Sequence, residues 1–159
     1  MSFKTYPSIA IANYFIEKSL AEQTPLTPMK LQKLVYNAHG WYLALTHTNL
    51  IGEDVCAWSY GPVIPQLYHA FKGYGKSNIT KSAQDFLMNV FTVNSQDQFS
   101  KDFLDKIWDT YKNLSAIQLS NDTHKEGSPW AQCYKPETKH VVIPSKIIES
   151  YFKGLANAN

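Results

Sequence analysis

A chain of 159 residues, 44% hydrophobic and 18% charged, has the length and balance to bury most of its apolar surface in one core, which excludes a disordered, fibrous or membrane-spanning protein. Its formal charge of +2 rests on fifteen lysines and no arginine. Without the planar fork that reads guanine edges and clamps phosphates, and with its lysines dispersed, the chain argues against a nucleic-acid partner, although a genome poor in G and C would deplete arginine as well.

Met1 to Pro7 has no basic segment followed by a continuous apolar stretch, and Asn13, Lys33, Asn37 and His39 interrupt the richest apolar windows. The expectation is therefore a cytosolic protein without a signal peptide or membrane span. Pro7 or Ser8 opens a first helix in which Ile9, Ala12, Ile16 and Leu20 recur at helical spacing, and Gln23-Thr24-Pro25 ends it. Thr27-Pro28 is a strong start signal, a hydroxyl at the cap and a proline where no amide donor is needed, for a longer helix reaching about Leu45. On that helix Leu31, Val35, Ala38, Tyr42 and Leu45 form an apolar stripe flanked by Leu34 and Trp41, while Lys30, Lys33 and Asn37 are expected to project from the opposite side. Gln32, Tyr36, His39 and Leu43 fall on the boundary, free to serve a site or a partner.

From Leu50 the pattern changes. Gly52-Glu53-Asp54 is turn-like, Val55, Ala57 and Ser59 alternate with Cys56, Trp58 and Tyr60, and Gly61-Pro62 ends what reads as a short β-hairpin. Pro65 begins a third helix with Leu67, Tyr68 and Phe71 inward, stopped by Gly73-Tyr74-Gly75. Residues 76–98 carry no clear period, and Phe86-Leu87-Met88-Asn89-Val90 reads as a helix end or a strand. Phe99 or Ser100 starts a helix with a wide apolar face of Phe103, Leu104, Ile107, Trp108, Tyr111 and Leu114. Ser115 caps a short helix through Leu119, a polar loop runs from Thr123 to Pro129, and Trp130 begins another helical turn. Val141-Val142-Ile143 is a strand able to pair with the hairpin. Pro144 and Ser145 open a last helix, with Ile147, Ile148, Tyr151 and Phe152 inward and Lys153-Gly154 at its end. The expected fold is mainly α: a bundle of five to seven helices with a small three-stranded β element, one domain over residues 1–159, with 155–159 a frayed tail.

Few arrangements suggest chemistry. Gly73-Tyr74-Gly75-Lys76-Ser77 ends like a phosphate-binding loop, but the leading glycine position holds Ala70 and the segment follows a helix instead of a strand. Asp122, His124 and Glu126 alternate in a polar loop, a weak basis for a metal or acid/base set, and Cys56 and Cys133 lie far apart without metal-ligand spacing, as suits reduced thiols. His39 could meet His124 in the fold as a dyad, yet no nucleophile is evident beside either. Neither a catalytic set, a metal nor a cofactor is assigned. Ten tyrosines and four tryptophans exceed what a core of this size needs, which makes Trp58, Tyr60, Tyr68, Tyr74 and Trp130 candidates for a binding face.

Three segments together resemble the Panacea (SocA-like) antitoxin domain, also described among phage-associated GepA-like proteins. They are Leu26 to Tyr36 with Ala38-His39-Gly40-Trp41-Tyr42-Leu43; Ala57 to Pro65 with Leu67-Tyr68; and Leu119 with Thr123 to Trp130. The resemblance implies a largely helical, non-enzymatic module that binds and neutralises a cognate protein toxin encoded beside it, or delivers that toxin to a protease. The partner-binding residues expected on this basis are Lys30, Lys33, Tyr36, Asn37, His39, Trp58, Tyr60, Tyr68, His124 and Trp130. Two other readings are a prophage accessory protein that binds a host factor, and a small hydrolase or transferase using His39 and His124.

Overall fold

Thr27 sets where the longest helix begins. In a computed structural model, which describes residues 2–158, its side chain accepts from the Lys30 amide and Pro28 takes the first helical position, so helix α2 runs Pro28–Thr46. Helix α1, Ser8–Glu22, lacks a side-chain cap from its own flanking residue. Glu53 supplies one from afar, its carboxylate accepting from the Ser8 amide and hydroxyl at 2.8 Å each. Gln23 ends α1 and His47 ends α2, both in the left-handed region.

Strands β1 (Val55–Trp58), β2 (Gly61–Val63) and β3 (Val141–Ile143) form an antiparallel sheet in the order β2-β1-β3. The hairpin turns at Ser59-Tyr60, and Trp58 pairs with Gly61, Ala57 with Pro62. Gly61 and Pro62 thus begin the second strand, where a hairpin end was expected. Proline is tolerated because β2 is an edge strand, and the φ of +115° at Gly61 suits glycine.

Helix α3 (Pro65–Phe71) passes into a 3₁₀ turn at Lys72–Tyr74. The Gly75 and Ser77 amides are already donated to the Lys72 and Tyr74 carbonyls, so this glycine-rich turn keeps two of its donors for itself. Residues 85–89 form a tight turn, neither helix end nor strand: the Asp85 carboxylate accepts from the Leu87 and Asn89 amides, and Phe86, Leu87 and Met88 stand exposed at its tip. Asn13 on α1 latches this long connection, bonding both the carbonyl and the amide of Ala83 and the carbonyl of Phe91.

Helix α4, Gln98–Tyr111, is capped by Asp97, and α5, Ala116–Thr123, by a reciprocal Ser115–Gln118 box. Four more residues are therefore helical than the expected end at Leu119. Helix α6 is Pro129–Cys133 and α7 Ser145–Asn157. The last helix continues through Gly154, so residues 155–157 are helical where a frayed tail was expected; Asn159 lies outside the described residues. No helix among the described residues is long and apolar enough to cross a membrane.

Helix α2 is the centre. It packs against α1, α3, α4, α5, α7 and β2, so nearly every residue from Lys30 to Leu43 is buried, whatever its polarity. At its ends the expected stripes fail, since Leu45 and, on α1, Leu20 are exposed. Gly40 marks the closest approach: a Cβ there would sit inside the Phe152 ring, itself fully buried and edge-on to Tyr36 and Trp41. Gly40→Ala is expected to destabilise the fold by about 1–3 kcal/mol despite alanine's better helix propensity. Urea unfolding of Gly40→Ala, Phe152→Ala and the pair checks this, because the cost of the alanine should vanish once the ring is gone.

Candidate functional site

The polar side of α2 is not a surface. Lys30, Lys33 and Asn37 were expected to project from it, and all are buried, because the hairpin, α3 and α5 lie over the side of the helix that the apolar stripe leaves. The Lys30 ammonium donates to the Lys112 carbonyl and the Asn37 amide to the Lys33 carbonyl. Tyr36 is likewise enclosed, stacked edge-on to Phe152 at 5.8 Å, and burial holds its phenol well above the usual range. His39 faces the Ile51 amide, which approaches its Nδ1 at 3.5 Å; that places the neutral ring's proton on Nε2, and burial lowers the imidazole to about 4.

Two consecutive residues of α2 grip strand β2 and the residues that flank it. Gln32 is bidentate to Ile64, accepting from its amide at 2.9 Å and donating to its carbonyl at 3.0 Å. Lys33, 2% exposed, donates to the Pro62 carbonyl at 3.0 Å and lies 3.5 Å from that of Tyr60. None of the ion pairs among the described residues involves Lys33. Desolvation, with no carboxylate to offset it, pushes its ammonium down to about 8. A Cβ on Gly61 would lie 2.8 Å from Lys33 Nζ and 3.0 Å from His124 Cε1, so the missing side chain lets α2, α5 and the hairpin meet.

This junction carries an aromatic ridge. Trp58 is edge-on to Tyr68 at 5.1 Å and to His140 at 5.5 Å. Trp130 donates its indole N–H to the Trp58 carbonyl at 2.6 Å, stacks on Tyr134 and lies 4.4 Å from the His124 ring. His124 itself donates from Nδ1 to the Ser120 carbonyl at 2.6 Å. Trp58, Tyr60 and Tyr68 separate two grooves. One, about 310 Å³, lies between the start of α2, the hairpin and α3; the other, about 360 Å³, lies toward Tyr134 and His140. Tyr68 was expected inward but is exposed, as are Tyr60 and Met29, and all three line the first groove.

Of the expected partner-binding residues, Lys33, Trp58, Tyr60, Tyr68, His124 and Trp130 thus converge on the hairpin, whereas Lys30, Tyr36, Asn37 and His39 serve the interior. His39 and His124 do not meet; each is bonded to a different part of the backbone. Nor do Asp122, His124 and Glu126 form one set, since Asp122 is helical and pairs with Lys125 at 3.1 Å, and no cluster of three or more His, Cys, Asp or Glu among the described residues could hold a metal. Gln32 and Asn13 are the residues whose roles sequence reasoning missed; a buried amide among apolar neighbours is the signal that could have found them.

The two depressed groups give opposite limbs of a stability profile. From about pH 8 to 10.5 the unfolded chain retains the Lys33 proton that the folded chain has lost, so stability rises with pH by up to about 3 kcal/mol. From pH 6.5 down to about 4 the unfolded chain gains a His39 proton that the folded chain refuses, so stability falls by a similar amount, about 3 kcal/mol. Denaturant unfolding across pH should show Lys33→Met flattening only the alkaline rise and His39→Gln only the acid fall.

Comparison with known proteins places the chain in a family. The family model described as antitoxin SocA-like, Panacea domain, matches residues 31–131, from the first buried leucine of α2 to the middle of α6 beneath the ridge. Antitoxin SocA of Caulobacter vibrioides (strain NA1000 / CB15N) is 33% identical over 125 residues, covering 76% of this chain; the chain spans 66% of that relative, just under two thirds of its length. No solved structure matches. Gln32 and Lys33, the hairpin they hold, helix α5 and Trp130 of α6 all fall within the matched residues, and the chain belongs to the SocA-like, Panacea-domain antitoxin family.

Proposed function

We propose that this chain is an antitoxin-type binding module that neutralises a cognate protein toxin by direct contact through the Trp58-Tyr60-Tyr68 ridge and the grooves beside it. The observation that carries the reading is the gathering of exposed large side chains around one concavity: Tyr60 is 80% exposed, Met29 48% and Tyr68 45%, all on the groove between α2, the hairpin and α3. Aromatic residues held on a rigid backbone give contact area at small entropic cost and dominate binding energy at interfaces. The hairpin is such a backbone, pinned from below by Gln32 and Lys33 and from the side by Trp130. His124 and Trp130 support the ridge, and Lys30, Tyr36, Asn37 and His39 act through the fold.

Co-expression with the product of the adjacent gene, scored by growth rescue and co-purification, tests the reading. Tyr60→Ala and Tyr68→Ala are each expected to weaken the complex about 10- to 30-fold, the range of an interface hot spot, while urea unfolding changes by no more than about 0.5 kcal/mol for the exposed Tyr60. Toxin that is bound at steady abundance marks sequestration; toxin whose abundance falls only when this chain is present marks delivery to a protease. A harmless neighbour that does not bind points instead to a host-factor role.

A further inference from the structure

The groove between α2, the hairpin and α3 combines apolar walls with donors that lack matching acceptors. Met29, Val63, Leu67 and Phe71 supply the walls, and Lys33 and Lys72 are its charged lining residues; no Asp or Glu lines it. The Lys33 ammonium, almost wholly removed from water, is answered by two backbone carbonyls and no carboxylate, leaving one of its three N–H donors without a protein partner. Trp58, which lines the same groove, holds a buried indole Nε1–H with no hydrogen-bond acceptor. Buried donors in native proteins are nearly always paired, so two under-satisfied donors on residues that line one concavity, one of them cationic, ask for an anionic acceptor from outside.

Resting on the reading of this face as the partner-binding surface, we infer that the groove receives a segment of a protein partner that sets an Asp or Glu carboxylate beside a large apolar side chain. The apolar side chain packs between Met29, Tyr60 and Phe71, and the carboxylate is directed to Lys33. A hydrophobic residue alone would leave the ammonium unanswered, and a basic or amide-bearing segment would meet a positive floor.

Titration of the ¹⁵N-labelled full chain with the capped tetrapeptides acetyl-Leu-Phe-Asp-Leu-amide and acetyl-Leu-Phe-Asn-Leu-amide, followed by the Trp58 indole N–H signal, tests this; Trp58→Phe assigns the signal. The acidic peptide is expected to bind about tenfold more tightly than its amide twin, as a charge-assisted pair at a desolvated site requires. Lys33→Met should bring the two within about twofold of each other, while Tyr60→Ser should weaken both and preserve their ratio. Equal binding of the two peptides to the unaltered chain, a preference that survives Lys33→Met, no response of the Trp58 signal at millimolar peptide, or equally tight binding of free hexanoate would each overturn the inference, and the first of these decides the point even if a variant fails to fold. The antitoxin reading fails separately: toxin rescued and bound by a chain with no acidic preference leaves that reading standing and removes this one, whereas an acidic preference without rescue of any neighbour does the reverse.

Discussion

The hold that helix α2 exerts on strand β2 is the constraint on which the aromatic face depends. Gln32 and Lys33 are adjacent in sequence and so point about 100° apart around the helix, yet both reach the same short stretch of chain, one at Ile64 just after β2 and the other at Pro62 within it and Tyr60 just before it. An edge strand of three residues has few ladder bonds of its own, and Pro62 contributes no donor to them. Its orientation is therefore set from beneath. Because Gly61 carries no side chain, the strand settles close enough for the Lys33 ammonium and the His124 ring to flank the same point, and the turn beyond it holds Tyr60 out in solvent.

From that hold the ridge follows. The Trp58 carbonyl, at the end of β1, accepts from Trp130, so the other side of the hairpin is tied to the short helix α6, whose start is fixed by the Ser128 cap. Tyr68 on α3 and His140 ahead of β3 both meet the Trp58 ring in T-shaped contacts. Three separate stretches of chain thus converge on one tryptophan. Its position costs little further ordering when a partner arrives, which is what distinguishes an anchor from a merely exposed aromatic.

Local signals made much of this fold legible before any coordinates. Thr27-Pro28, Ser115 and Ser145 sit where helices begin, the β-branched run at Val141 to Ile143 pairs with Val55 to Ala57, and the aromatic residues singled out at Trp58, Tyr60 and Trp130 do lie together. What failed was the inference from polarity to exposure. Lys30, Lys33 and Asn37 fall on one side of α2 and read as a solvated face, but a helix surrounded by five others and a strand has no such face; its two lysines are satisfied by backbone carbonyls far away in sequence and Asn37 by the Lys33 carbonyl one turn back, and no periodicity reports a carbonyl. The same limit hid Asn13, whose three bonds to residues 83 and 91 organise a connection that has no period of its own. The helix ends at Thr123 and Asn157 were misjudged because Gly154 and the polar run after Leu119 are weak stops, overridden by packing.

The comparison between Gln32 and Lys33 also bears on why a charge is kept in the interior. Both residues tether the hairpin through backbone groups, and the neutral amide of Gln32 does so without desolvating an ion. A second neutral donor could have served Pro62 as well. An ammonium that gives up most of its hydration for two carbonyl dipoles is a poor structural device, and Lys33 lines a groove that is lined also by Trp58, whose buried indole N–H is unpaired. Departures from local consistency concentrate where a surface is completed by something outside the chain. On the proposed reading the positive charge of Lys33 answers to a partner on this face, and the tether to Pro62 keeps that charge in register with the ridge beside it.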